Sequence, residues 1–160
     1  TLGPRGAGTL RAMADRTQSS VEIAAEPGVV LDVIADFERY PEWAHEVTSA
    51  TVLSEDGDGW ADQVEFHLHA GAIKDNYVLE YDWDIAEDGT GSVSWHLVRA
   101  TLLKGLDGTY ALSRTPGGGT SVTYDLEVDL TMPMIGMLKR KAEKHIINTA
   151  LTELKKRVEG

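Results

Sequence analysis

Cysteine is absent from this sequence of 160 residues. Its absence excludes disulfide bonds, thiolate nucleophiles and cysteine metal ligands, and it favours a reducing compartment, so we expect a cytoplasmic location. Long apolar runs are missing too, since no stretch approaches the roughly 20 consecutive apolar residues that a membrane-spanning helix needs. The composition therefore predicts neither an integral membrane protein nor a secreted domain held together by disulfides.

The usual sequence motifs of cofactor sites and nucleophiles are also absent. The chain has no Walker-type phosphate loop, no dinucleotide-binding glycine fingerprint and no Ser-His-Asp motif. Residues 117–119 are all glycine, but no helix is predicted to follow them, so they do not predict a phosphate cradle. We therefore expect no cofactor and no metal, and the sequence identifies no catalytic residue.

Positive charge is scarce, with 15 Lys and Arg against 26 Asp and Glu and a net charge of −11. It is concentrated in residues 133–160, which hold seven Lys and Arg against three Glu. The acidic remainder repels phosphate backbones, which argues against nucleic-acid binding and against a ribosome-associating role. The basic segment has two interpretations: it docks on an anionic membrane or an acidic carrier protein, or it complements the protein's own acidic sheet.

The length fits one domain that can bury most of its surface. Residues 1–16 contain Gly, Pro and Arg without the continuous apolar stretch of a secretory signal, so we interpret them as a flexible N-terminal extension. The predicted domain covers residues 17–160.

Alternating apolar and polar residues predict strands along most of this domain. The first predicted strand covers residues 20–25, and about six more fall between residues 48 and 130. Turn-forming Gly, Asp and Pro separate several of these strands at short intervals, which is typical of an antiparallel meander.

Helical periodicity occurs in three places. Pro27 begins a predicted helix that ends before the Tyr40–Pro41 step, and Pro41 begins a second short helix that carries Trp43 and His45. A long helix is predicted from Pro133, and its apolar stripe consists of Ile135, Leu138, Ala142, Ile146, Ala150 and Leu154.

A sheet of about seven strands is wider than the single long helix available to cover it, because a helix is only about 10–12 Å across. The inward row of the predicted strands is rich in aromatic residues: Tyr77, Tyr81, Trp83, Trp95, Tyr110 and Tyr124. These side chains either fill the space beside the helix as ordinary core or line an apolar cavity.

The stretch from Asp36 to Trp43 resembles the helix-turn-helix signature of the START-like superfamily, which includes polyketide cyclases/dehydrases, lipid-transfer domains and coenzyme Q-binding proteins. The segments Leu103–Tyr110 and Met132–Glu143 are similar to uncharacterised actinobacterial members, and the likeness runs from about Thr17 to Glu159. The resemblance implies an α+β helix-grip (Bet v 1/START-like) fold with a ligand cavity between the long helix and the sheet.

We predict that a set of side chains from the sheet, the short helix and the long helix lines this cavity: Trp43, Phe66, Leu68, Tyr77, Tyr81, Trp83, Trp95, Arg99, Tyr110, Leu138 and Ala142. Arg99 shares the parity of Trp95 and would anchor an anionic or enolate oxygen if it points inward, but it is solvated if the strand has already ended.

The histidines have weaker functional interpretations. His67 and His69 have metal-chelating spacing on one strand, but their parity places them on the wet outer face. His45 is expected near the cavity mouth, where it either titrates or plays no role, and His145 is expected at the core edge.

These observations favour a carrier or binding module for an apolar small molecule or lipid, such as a lipid, an isoprenoid or a polyketide-like compound. The alternative is a polyketide cyclase/dehydrase (aromatase) that acts on a carrier-bound substrate. Because the sequence offers few polar groups inside the cavity, we favour binding over catalysis.

Overall fold

A computed structural model describes residues 17–70, 73–131 and 136–160. It confirms the predicted α+β class, with seven strands and a long C-terminal helix. The predicted extension of residues 1–16 and the predicted helix start at Pro133 lie outside the described residues. The elements are β1 (Thr17–Ile23), α1 (Pro27–Ala35), a 3-10 helix (Phe37–Glu42), β2 (Val47–Glu55), β3 (Ala61–Ala70), β4 (Ile73–Ile85), β5 (Gly91–Arg99), β6 (Leu103–Arg114), β7 (Thr120–Leu130) and α2 (Gly136–Glu159).

The seven strands form one sheet in the order β1-β7-β6-β5-β4-β3-β2, with antiparallel pairing throughout. Strands β2 to β7 follow one another as hairpins, and β1 pairs with β7 at the opposite edge. The register places Tyr81 opposite Trp95 and Tyr110 opposite Tyr124. Because cross-strand partners share a face, these aromatic residues gather on one side of the sheet.

The second helical segment differs from the prediction. It is a 3-10 helix that begins at Phe37 and contains Pro41, whereas His45 lies in the loop that follows. Pro41 is next to the last residue of this short segment, so its missing N–H removes one i to i+3 hydrogen bond and interrupts nothing that follows. The adjoining bonds are present, from the N–H of Arg39 to the carbonyl of Asp36 and from the N–H of Trp43 to that of Tyr40.

Helix α2 packs mainly on β1 and β7, at one side of the sheet. Its buried stripe is Glu143, Ile147, Leu151 and Leu154. Ile135 of the predicted stripe lies outside the described residues, and of the others only Leu154 belongs to this set, because the helix presents two adjacent stripes to the interior and the predicted one lies off the direct contact. None of the helices in the described ranges is long and apolar enough to cross a membrane.

Glu143 is a carboxylate in the core, with 1% of its surface exposed. The described part of β1 pairs with β7 from Thr17, opposite Leu126. Glu143 contacts both strands at this end of the pair: its Oε2 accepts the N–H of Val128 at 2.8 Å, and its Oε1 accepts the hydroxyl of Thr17 at 2.6 Å. An acidic side chain of α2 thus satisfies a buried backbone N–H of β7.

We expect Glu143→Ala to lower the free energy of unfolding by about 2–3 kcal/mol, because it leaves a buried backbone N–H without an acceptor. Chemical denaturation would measure the loss. The control is Lys144→Ala, which changes the next, exposed residue of the same helix, and Glu143→Gln should lose less because it keeps one acceptor. Equal stabilities of Glu143→Ala and Lys144→Ala would contradict this role.

Candidate ligand-binding cavity

A cavity of about 480 Å³ lies between the sheet and α2. It exists because α2 covers mainly the β1–β7 side of the sheet and leaves part of the inner face of β3 to β6 uncovered. Three of the side chains that α2 contributes to the cavity wall are small, Ala142, Thr149 and Ala150, and they leave room beside the sheet. Most of the surface inside is apolar, as is usual for small-molecule sites.

Eight of the eleven residues predicted to line the cavity do so in the structure: Trp43, Phe66, Leu68, Tyr77, Tyr81, Trp95, Tyr110 and Ala142. Their contact with a ligand stays a prediction. Tyr124 belongs to the predicted inward row but not to the predicted site, and it lines the cavity beside Tyr110. Most of this agreement follows from the alternation of side chains along the strands, because alternation separates the two faces of each strand.

Arg99 does not line the cavity. Val78 pairs with Arg99 while Leu79 pairs with Leu97, so Val98 is an extra residue that forms a bulge in β5. Leu79 lines the cavity, and Val78 points to the opposite face. Because Arg99 shares the face of Val78, the bulge turns the guanidinium outward, where the residue is exposed.

Trp83 and Leu138 are also outside the cavity. Trp83 stacks on Trp60 at a centroid distance of 4.7 Å and donates its indole N–H to the carbonyl of Ala61 at 2.8 Å. Phe37 contacts the rings of both Trp83 and Tyr81, so it closes the cavity on that side. Leu138 is in the first turn of α2, where it is 53% exposed.

Four tyrosine hydroxyls reach the cavity without a hydrogen-bond partner among the described residues; they belong to Tyr77, Tyr81, Tyr110 and Tyr124. The fifth tyrosine of the chain, Tyr40, donates its hydroxyl to the carbonyl of Ile34 at 2.5 Å. The rings of Tyr110 and Tyr124 are 4.6 Å apart, and both contact the indole of Trp95. The cavity is therefore apolar in its walls but carries several free polar tips.

Burial raises the pKa of all five tyrosines well above the ordinary value of 10.0. Desolvation is the largest cause, because it disfavours the charged phenolate. Mutual repulsion adds to it: the neighbouring phenols raise the pKa of Tyr81, and the carboxylate of Asp75 raises that of Tyr77. At neutral pH the hydroxyls are therefore protonated and able to donate hydrogen bonds.

Asp75 is a buried acid that the sequence analysis did not single out. It is 5% exposed, and its carboxylate accepts the backbone N–H groups of Thr101, Leu102 and Leu103 at 2.9–3.1 Å. These bonds hold the loop between β5 and β6 at one end of the cavity. Asp75 shares the inward face of β4 with Tyr77, and the alternation along this strand is the signal that could have identified it.

The cavity mouth lies between α2 and the loop before β2, and ionisable side chains from both sides meet there. His45 Nδ1 is 2.6 Å from Glu153 Oε2, and His145 Nε2 is 3.6 Å from Glu46 Oε2. Glu46, His145 and Glu153 line the cavity, whereas no Lys or Arg does so in the described ranges. The polar part of the site is thus acidic at its entrance.

Two histidines of the outer face lie near one carboxylate each, with His67 Nε2 3.9 Å from Glu65 and His96 Nε2 3.2 Å from Glu80. Within residues 17–70, 73–131 and 136–160, no three or more His, Asp or Glu side chains gather as a metal centre would require.

Comparisons with known proteins place this geometry among related folds. The family model described as "Polyketide cyclase / dehydrase and lipid transport" matches residues 23–155. Among solved structures, a START superfamily protein from Mycobacterium smegmatis superposes with a TM-score of 0.82 at 20% identity, and the match covers 90% of this chain and 97% of that one.

Two further structures are similar at lower identity. The aromatase/cyclase Zhui from Streptomyces sp. R1128 has a TM-score of 0.70 and 13% identity, with 90% of this chain and 93% of that one covered. A STAR-related lipid transfer protein from Xanthomonas axonopodis has a TM-score of 0.71 and 16% identity, with coverages of 89% and 85%. At these identities the likeness shows the helix-grip fold.

We expect Gly108→Ala to reduce the cavity and to lower the free energy of unfolding by about 1–3 kcal/mol, as overpacking does. The ring of Trp95 lies against Gly108, and an added Cβ would be 2.6 Å from its Cε2 atom. Chemical denaturation and tryptophan fluorescence would measure the effect. Gly105→Ala on the same strand is the control, since its nearest neighbour would be 3.4 Å away; similar losses in both variants would contradict the prediction.

The tyrosines predict an alkaline limit to stability. Their pKa is higher in the folded protein than in the unfolded chain, so above pH 10 the unfolded state has released protons that the folded state still binds. Stability should therefore be unaffected by these groups below pH 10. Above it, stability should fall by up to about 1.4 kcal/mol per pH unit for each tyrosine.

Denaturation from pH 8 to 12 tests this expectation, with tyrosinate absorbance at 295 nm recorded in parallel. The absorbance should rise together with unfolding, and Tyr124→Phe should make the decline shallower. Ionisation of the tyrosines near pH 10 in the folded protein would refute it.

Proposed function

This chain belongs to the polyketide cyclase/dehydrase and lipid transport family, and we propose that it binds an apolar small molecule or lipid between its sheet and α2, as a carrier or binding module. The observation that carries the proposal is the apolar cavity of about 480 Å³ with free hydroxyls inside. Cavities of about 300–1,000 Å³ are typical of sites for drug-sized ligands. Ordinary core packing would not leave a space of this size, because protein interiors are close-packed.

The position of the ionisable groups supports binding over catalysis. Acid–base catalysis at neutral pH needs a group whose pKa is near the working pH. The deep titratable groups are the tyrosines, whose raised pKa leaves them protonated, and the carboxylates and histidine of the lining are at the mouth. The alternative, a polyketide cyclase/dehydrase acting on a carrier-bound substrate, would have to use the tyrosine hydroxyls as hydrogen-bond donors to the substrate.

The start of α2 supports a peripheral partner for loading or unloading. Arg140, Lys141 and Lys144 are exposed there, next to the exposed side chains of Met137 and Leu138. An anionic membrane or an acidic carrier protein would complement this surface. Other cations of the helix complement the protein itself: Lys139 pairs with Glu127 and Asp129, and Arg157 pairs with Glu42. The cytoplasmic location stays a prediction from the cysteine-free composition.

We expect Ala150→Trp to abolish ligand uptake, because the larger side chain would fill the cavity from α2, where Ala150 is part of the lining. The purified protein would be incubated with a bacterial lipid and metabolite extract and examined by native mass spectrometry. Wild-type protein should retain a bound small molecule, and the variant should not.

Asn148→Trp provides the matched control, because Asn148 is exposed on the same helix. Circular dichroism would verify that both variants fold. Absence of a retained molecule in the wild-type protein, or equal retention in Ala150→Trp, would overturn the proposed function.

A further inference from the structure

The free hydroxyls of the cavity restrict what can occupy it. Tyr77, Tyr81, Tyr110 and Tyr124 each bring a phenol hydroxyl into an apolar space, and none of the four oxygens belongs to the fully enclosed unpaired atoms of the described residues. Each hydroxyl is therefore accessible from the cavity. A hydrogen-bond donor in apolar surroundings is costly when it has no acceptor. A saturated acyl chain supplies none, whereas a carbonyl or hydroxyl oxygen does.

The walls favour a ring over a chain. Phe66 and Tyr77 stack at a centroid distance of 5.4 Å, and Tyr110 and Tyr124 lie 4.6 Å apart beside Trp95. Aromatic faces pack well against planar rings and offer edge and face contacts that a flexible chain uses less fully.

The charged groups of the site disfavour anions. Its described lining holds the carboxylates of Glu46 and Glu153, each beside one histidine, and no Lys or Arg, and Arg99 faces away from it. A carboxylate or phosphate group would enter past both carboxylates and find no Lys or Arg to pair with. This arrangement disfavours free fatty acids and phospholipids.

We infer that the ligand is a neutral ring compound bearing carbonyl or hydroxyl oxygens, rather than a fatty acid, a phospholipid or another anionic amphiphile. The inference rests on the proposed binding function and names the chemical class that the cavity selects. The tyrosine hydroxyls donate to the ring oxygens, the aromatic walls hold the ring, and the acidic mouth rejects anions.

Competition for a neutral fluorescent probe tests this selection. The protein would be saturated with 1-aminoanthracene at pH 8, and four competitors would be compared: anthraquinone, anthracene, anthraquinone-2-carboxylate and palmitate. The first three share one ring skeleton and differ in oxygens and charge. We expect anthraquinone to displace the probe at concentrations about tenfold lower than anthracene, since each hydrogen bond contributes about threefold to tenfold. The two anions should be weaker still than anthraquinone.

Conservative variants assign the effect to particular groups. Tyr110→Phe and Tyr124→Phe should each lower the affinity for anthraquinone relative to that for anthracene about threefold to tenfold. Tyr40→Phe is the matched control, because its hydroxyl is already bonded to Ile34 and the ratio of the two affinities should stay constant. The double variant Glu46→Gln, Glu153→Gln should raise the affinity for anthraquinone-2-carboxylate several-fold relative to that for anthraquinone.

The outcomes separate the two proposals. If the probe binds but palmitate displaces it best, or anthracene equals anthraquinone, the ligand class is wrong and the carrier function stands. If neither the probe nor any competitor binds, and native mass spectrometry shows no retained molecule, both proposals fail. The wild-type competition series decides the ligand class even if a tyrosine variant does not fold.

Discussion

The arrangement on which the rest of the structure depends is the packing of α2 against β1 and β7. One long helix covers one side of a seven-stranded sheet, so part of the inner face of the central strands is left uncovered. Glu143 ties the helix to this position, because its buried carboxylate accepts the backbone N–H of Val128 in β7 and the hydroxyl of Thr17 in β1. The cavity, its aromatic floor and its mouth all follow from this off-centre placement.

The buried polar groups divide into two kinds with different consequences. Glu143 accepts a backbone N–H and the hydroxyl of Thr17, and Asp75 accepts backbone N–H groups, so the two acids stabilise the helix position and a loop at the cavity end. Tyr110 and Tyr124 keep free hydroxyls that face the cavity. Satisfied groups of the first kind maintain the fold, whereas free donors of the second kind are available to a ligand.

Much of the candidate site could be predicted because strand alternation is a local property. Phe66, Leu68, Tyr77, Tyr81, Trp95 and Tyr110 face inward as their parity predicts. The predicted cavity lining was wrong where a bulge interrupts the alternation and where a residue lies near the end of its strand or helix. The bulge at Val98 reverses the direction of Arg99, Trp83 lies beyond the closing ring of Phe37, and Leu138 is in an exposed first turn.

The sequence alone determined the element order, the inward face of most strands and the excess of sheet over helix, since these follow from periodicity and composition. Only the tertiary structure decided which stripe of α2 packs on the sheet. It also decided that Glu143 and Asp75 are buried acids with hydrogen-bond partners, and that two glutamates line the cavity mouth. The physical reason is that helix placement and hydrogen-bond satisfaction depend on residues far apart in the chain, such as Thr17 and Glu143, which no local pattern connects.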